Sequence, residues 1–287
     1  MKQTITLLLA ALMLLMAVTG CTQGGAQDAG KNITVVSRED GSGTRGAFIE
    51  LFGVEAKGED GSKKDMTTKE ALIVNKTDVM LTNIAGDPNA IGYVSMGSLN
   101  NTVKALSIDG AAATAANVQN GSYPIARPFI IATRDDVSEL AQDFIRFILS
   151  KEGQAVVGGS YTAVDENAPA YEGVKPEGKI SVAGSSSVTP IMEKLKEAYL
   201  TLNPKAAIEI QMSDSTAGMT AAMEGTCDIG MASRALKESE LAQLTGTAIA
   251  LDGIAVIVHP GNPVVDMTGE QVRSIFTGET TTWEGLQ

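Results

Sequence analysis

Residues 180–199 read ISVAGSSSVTPIMEKLKEAY. Ile180 to Ala183 form a short apolar run. Gly184-Ser185-Ser186-Ser187 is a loop of small hydroxyl residues, and 188–200 carries a helical pattern of apolar positions. A strand that feeds a helix through such a loop is the repeating unit of an α/β fold. The arrangement recurs in three other places. Arg38 to Thr44 follows Ile33-Thr34-Val35-Val36, Ser213-Asp214-Ser215-Thr216 follows Ile208 to Gln211, and Ser233-Arg234 follows Asp228 to Met231. Apolar patterning predicts strands at 33–36, 91–95, 103–107, 127–132, 180–183, 207–211, 228–231 and 253–258. Helices are predicted at 45–52, 137–149, 188–200, 216–224, 237–243 and 268–276. The alternation predicts an α/β fold with mainly parallel sheet. The stripe Leu140, Phe144, Ile145 and Ile148 in the helix 137–149 is core packing. The segment 165–179, DENAPAYEGVKPEGK, has two prolines and little to bury, and reads as a connector.

The four hydroxyl-bearing loops share a physical property. Amides at a helix start point outward unpaired, and the macrodipole makes that end positive. Serine and threonine add short donors, glycine permits close backbone approach, and arginine adds a planar fork suited to tetrahedral oxyanions. Singly, each loop is also what an ordinary turn or helix cap looks like. Together they predict an anion site. The chain has no GxxxxGK[ST] stretch, so a nucleotide P-loop is not supported.

Bulk composition narrows the partners. The 287 residues are 44% hydrophobic and 20% charged, enough for one large domain or two lobes. Net charge is −12 and aromatics are 4%, so no nucleic-acid partner is expected. With a single histidine, His259, neither a histidine-based metal site nor a Ser-His triad is expected. No metal and no cofactor are anticipated. Cys21 and Cys227 stand in such different contexts that no disulfide is expected. Cys227 reads as a buried, inert thiol, His259 as structural, Trp283 as packing near the cleft rim or hinge, and Lys63, Lys64 and Lys69 as a solvated face.

The first residues have signal-peptide character. Lys2 precedes the apolar run from Ile5 to Val18, too short for a typical span. Val18-Thr19-Gly20-Cys21 then resembles a bacterial lipoprotein cleavage site. Residues 1–21 are expected to be a lipoprotein signal peptide ending at a lipidated Cys21. Residues 22–32, rich in Gly, Gln and Ala, are a flexible tether. The protein is expected outside the cytoplasmic membrane, held there by acyl chains.

Longer stretches carry a family likeness. ITVVSREDGSGTR (33–45), NAIGYVSMGSL (89–99), RPFIIATRDD (127–136), ISVAGSSSVTPIMEKLKEAY (180–199), IEIQMSDSTAGMTAAMEGTCDIGMASRALKESEL (208–241), GIAVIVHPGNPV (253–264) and FTGETTTWEGL (276–286) resemble the phosphate-binding lipoproteins of phosphate-specific ABC transporters. Relative to that family the order is rearranged. The segments that normally come second come first, as in a circular permutation, with 165–179 joining the ancestral ends. The resemblance implies a two-lobe periplasmic-binding-protein-like α/β fold with the ligand in the cleft between lobes. One lobe would be split, 33–97 plus 259–287, and the other continuous, 98–258. It implies a monomer that captures inorganic phosphate, delivers it to an ABC permease and performs no chemistry. Carried over position by position, the phosphate contacts are Arg38, Ser42, Gly43, Thr44, Ser186, Ser187 and Ser215. Asp40 would hold Arg38 and border the site. Arg234 stands where some members carry the aspartate that accepts the phosphate proton, which leaves Asp40, preferred, or Asp214 for that role. Two rivals stay open: another tetrahedral oxyanion such as sulfate, and a phosphatase-like enzyme on the same scaffold. A third is a relic whose hinge the permutation broke.

Overall fold

A computed structural model describes residues 32–58 and 62–286. The expected signal peptide, Cys21 and all but the last residue of the tether lie outside the described residues. Eight strands make the main path of a ten-stranded sheet. They are β1 (Thr34–Arg38), β2 (Leu72–Val74), β3 (Ala90–Ser95), β4 (Ala126–Thr133), β5 (Gly178–Ser185), β6 (Ala206–Ser213), β7 (Ile229–Ala232) and β8 (Thr245–Val258). Their spatial order is β6-β5-β7-β4-β8-β3-β1-β2. The helices that matter here are α1 (Gly43–Leu51), α2 (Thr77–Gly86), α3 (Glu139–Ile148), α4 (Lys151–Gly158), α5 (Thr189–Leu202), α6 (Ser215–Glu224) and α7 (Gly269–Thr277).

The sheet is two parallel triplets joined by antiparallel strands. β2, β1 and β3 run parallel, as do β6, β5 and β7. Between the triplets, β4 and β8 pair antiparallel with each other and with β7 and β3. The expected parallel character therefore holds within each triplet and fails at the join. β3 (AIGYVS) is buried at every position, as a strand covered on both faces must be. β8 has 14 residues, longer than the predicted 253–258, and passes from one lobe to the other. Thr245 to Gly253 pair with β4, and Ile254 to Val258 pair with β3.

The two largest sets of buried side chains follow from this layout. The first gathers Phe48, Phe52, Tyr93, Leu106, Ile108, Tyr123, Ile254, Val256, Phe276 and Trp283. The second gathers Phe129, Phe144, Phe147, Tyr161, Leu195, Tyr199 and Met231. The expected lobe boundary at residue 97/98 does not follow this packing. Leu106, Ile108, Val118, Tyr123 and Ile125 pack in the first core with Ile254, Val256 and Val258, and Phe129, Ile131, Ile249 and Ala250 in the second, so the change of core falls within β4 and β8. The split lobe thus takes more of the chain than the sequence suggested. Predicted strand 103–107 resolves into two short pieces, Lys104–Ala105 and Ser107–Ile108.

The chain's early and late residues meet. Asn32 bridges Thr282, and the Ile33 amide donates to the Thr281 carbonyl at 2.8 Å. The connector 165–179 is tied down. Asp143, fully buried on α3, accepts from Tyr171 Oη at 2.5 Å, Tyr199 Oη at 2.8 Å, Val174 N at 3.1 Å and Lys175 N at 3.2 Å. Asn203 Nδ2 adds a bond to the Pro176 carbonyl at 2.8 Å.

Candidate functional site

The carboxyl ends of the parallel strands face the join between lobes, where ligands bind in open α/β sheets. Four helices begin there: α1 and α2 from the first lobe, α5 and α6 from the second. Each presents a buried hydroxyl at its start. Thr44 Oγ1 lies 2.8 Å from Ser187 Oγ. Thr77 Oγ1 lies 3.2 Å from Ser186 Oγ and 3.5 Å from Ser187 Oγ. Ser215 Oγ accepts from the Ser233 amide at 3.0 Å, and Ser185 Oγ donates to Ser233 Oγ at 3.0 Å. Ser42 caps α1 by accepting from the Arg45 amide at 3.3 Å.

Arg38 ends β1 with its side chain buried. Its Nε and Nη2 donate to Glu39 Oε2 at 2.8 Å and Oε1 at 2.7 Å. Nη2 also reaches Ser186 Oγ in the opposite lobe at 3.1 Å. The Arg38 backbone is fixed as well: its amide donates to Tyr93 Oη at 3.2 Å, and its carbonyl accepts from Arg45 Nη1 at 2.6 Å. Glycine permits the close approach at the meeting point. A Cβ on Gly43 would stand 2.4 Å from Ser215 Oγ and 2.8 Å from Ser233 Oγ, and one on Gly41 would stand 2.4 Å from Asp214 Oδ1. Gly41 also accepts through its carbonyl from the Thr216 amide and hydroxyl, both at 3.2 Å.

The structure thus brings Arg38, Ser42, Gly43, Thr44, Ser186, Ser187 and Ser215 to one place from both lobes. Two expected residues sit differently. Asp40 does not hold Arg38: its side chain is 97% exposed and pairs with Arg45 at 2.9 Å. Glu39 holds Arg38 instead, because at the strand end the next residue, not the second, turns back toward the guanidinium. Arg234 lays its stem near Gly43, while its Nη1 and Nη2 donate to Glu240 at 2.8 Å and 2.7 Å. Burial works to raise the Glu240 pKa, but hydrogen bonds from Arg234 and the Lys237 amide outweigh it and hold the carboxyl below its ordinary range. Asp214 caps α6, accepting from the Ala217 amide at 2.9 Å, and lies at the lobe interface beside Gly41.

Sequence reasoning missed Glu39 and Thr77. Glu39 was visible only as the neighbour of Arg38. Thr77 heads TDVMLTNIAG, whose buried positions Thr77, Met80 and Ile84 form too thin a stripe to declare a helix. Cys227 is buried and unbridged, with its thiol pushed up to about 11 chiefly by burial. No helix among the described residues is long and apolar enough to cross a membrane.

Comparison with known proteins adds independent findings. A family described as a PBP superfamily domain matches residues 22–152 and 164–285. A protein named phosphate-binding protein PstS 2 from Streptococcus agalactiae is 50% identical over 99% of this chain and 98% of its own length. One of the same name from Streptococcus pneumoniae is 47% identical over 91% of this chain and 90% of its own. The crystal structure of a phosphate ABC transporter phosphate-binding protein from Streptococcus pneumoniae superimposes with TM-score 0.70 at 46% identity. It covers 89% of this chain and 100% of that one.

Proposed function

This chain belongs to the PBP superfamily, in the family of its PstS relatives, and on that premise we propose that it captures inorganic phosphate between its lobes for an ABC import permease. The observation that carries the reading is the convergence of four helix starts, from both lobes, on hydroxyls around Arg38. Helix starts and hydroxyls are donors, and a guanidinium completes them, so a tetrahedral oxyanion is the matching ligand. Bonds that cross between the lobes at this point make closure and binding one event.

In this reading Asp214 takes the phosphate proton. It stands at the lobe interface, whereas Asp40 is in solvent. An acid there repels a fully ionised sulfate and accepts from hydrogen phosphate. The protein works as a monomer and performs no chemistry. It is held outside the cytoplasmic membrane through lipidated Cys21. The rearranged order fits the pairing of 32–33 with 281–282, which sets the permuted break beside itself. The test is calorimetric titration of phosphate-stripped protein with phosphate, repeated in excess sulfate. One-to-one binding that sulfate leaves intact is expected; sulfate competition at equal concentration would assign the cleft to a different oxyanion.

A further inference from the structure

A second buried arginine lies at the join between the lobes. Arg127 on β4 stands directly across from Asp252 on β8, where the crossing strands pair. Arg127 is 3% exposed and Asp252 0%. Arg127 Nη2 donates to Asp252 Oδ2 at 3.1 Å, and Ser95 Oγ donates to Oδ1 at 2.9 Å. The guanidinium lies 5.5 Å from the centroid of Phe129, whose other neighbour is the Tyr161 ring at 5.2 Å. Arg127 Nε and Nη1 and Tyr161 Oη are buried with no hydrogen-bond partner among the described residues.

Such an arrangement is costly. A buried ion pair contributes little net stability over apolar residues of the same volume, and orphan donors subtract further. Its position supplies a reason to keep it. Ser95 ends β3 and Arg38 ends β1, parallel neighbours, so the Asp252 pair and the anion site share one edge of the sheet. Arg127 also feels Arg38. Burial lowers its pKa, Asp252 opposes that, and the charge of Arg38 lowers it further. Arg38 is paired with Glu39 as Arg127 is with Asp252, so each guanidinium at this end of the sheet is held against a carboxylate.

We propose that Arg127 is the second cation of the oxyanion site, acting through its field, and that Asp252 holds that charge in check and so sets affinity. The proposal rests on the phosphate reading above and deepens it. Arg127 is a positioning residue, and no contact with the anion is required of it.

The test titrates inorganic phosphate into phosphate-stripped protein at fixed pH and salt, with thermal melting alongside. Four proteins are compared: wild type, Asp252→Asn, the double variant Arg127→Gln with Asp252→Asn, and Arg127→Lys. Asparagine can accept from Arg127 through its one amide oxygen and donate its NH2 to Ser95 Oγ, so the pairing is kept with the Ser95 bond reversed while the charge is removed. It is expected to tighten binding on the order of tenfold, the effect of a unit charge seen through an effective dielectric near 20. The double variant leaves no unpaired charge and should bind more weakly than Asp252→Asn by a similar factor. Arg127→Lys keeps the charge and should stay within about threefold of wild type. Equal dissociation constants for the two asparagine variants, with only melting temperatures moving, would make the pair structural and overturn the proposal. Loss of binding in Arg127→Lys with the fold intact would also overturn it, by assigning the effect to the fork. Absence of phosphate heat in wild type would instead sink the phosphate reading, and this inference with it.

Discussion

Arg38 shows how much one side chain is asked to do. Its fork meets Glu39 with two nitrogens and Ser186 with one of them, so a planar, rigid donor is needed. Arg38→Lys keeps the charge and loses this geometry. We expect phosphate affinity to fall by about 1.5–3 kcal/mol, the size of one charge-assisted bond, read by calorimetry with little change in melting. Asp214 divides its duties differently. Asn caps a helix as well as Asp does, so Asp214→Asn should leave stability near wild type while narrowing discrimination between phosphate and sulfate. Competition titration checks it; unchanged discrimination would remove Asp214 as the proton acceptor.

At the scale of elements, two devices stand out. The first is the start of α1, which approaches the second lobe so closely that a Cβ at 43 would meet the Ser215 and Ser233 hydroxyls. Gly43→Ala would force Ser215 or Ser233 aside, an overpacking cost of roughly 1–3 kcal/mol that falls on the closed arrangement. Phosphate binding should weaken by about tenfold or more, with the separate lobes unharmed by circular dichroism. The second device is Asp143 on α3, which ties the 171–175 stretch to α5. Asp143→Ala strands several buried donors and should cost about 3–5 kcal/mol, with early proteolysis in 165–179. Burial works to raise the Asp143 pKa, but hydrogen bonds from Tyr171, Arg146 and Tyr199 prevail and hold it below 3.8. A carboxyl lowered in the fold lends stability above its unfolded pKa and loses it as pH falls. Wild type should therefore lose stability below about pH 4, and the alanine variant should lose less over that range. Asp252 has the opposite sign. Burial raises it to about 6, so its contribution is present below 3.8 and is lost as pH rises toward 6.

For the whole molecule, the consequence of bonds across the cleft is linkage. A ligand that binds only the folded, closed form adds about 2.7 kcal/mol of stability at one hundred times its dissociation constant. Phosphate should raise the melting temperature in proportion to the logarithm of its concentration. Arg38→Ala should abolish most of that rise while leaving the phosphate-free melt in place. A flat response in wild type would mean that phosphate does not bind the folded protein.

The sequence by itself determined the α/β class, the strand–loop–helix units and nearly all the hydroxyl and arginine positions that gather at the cleft. These are local signals: apolar period, helix-start chemistry and glycine where chains approach. Tertiary structure decided the rest. The partner of Arg38 is Glu39 and not Asp40, because the turn after β1 sends Asp40 into solvent toward Arg45. Thr77 joins the site only because α2 starts opposite the Ser186 loop, 109 residues away in the chain. The lobe boundary lies inside β4 and β8 because a strand can pair with one lobe at one end and the other lobe at the other. Nothing in the local sequence marks Arg127 or Asp252. Only the pairing of two distant strands buries them together, and burial is what gives their charges reach.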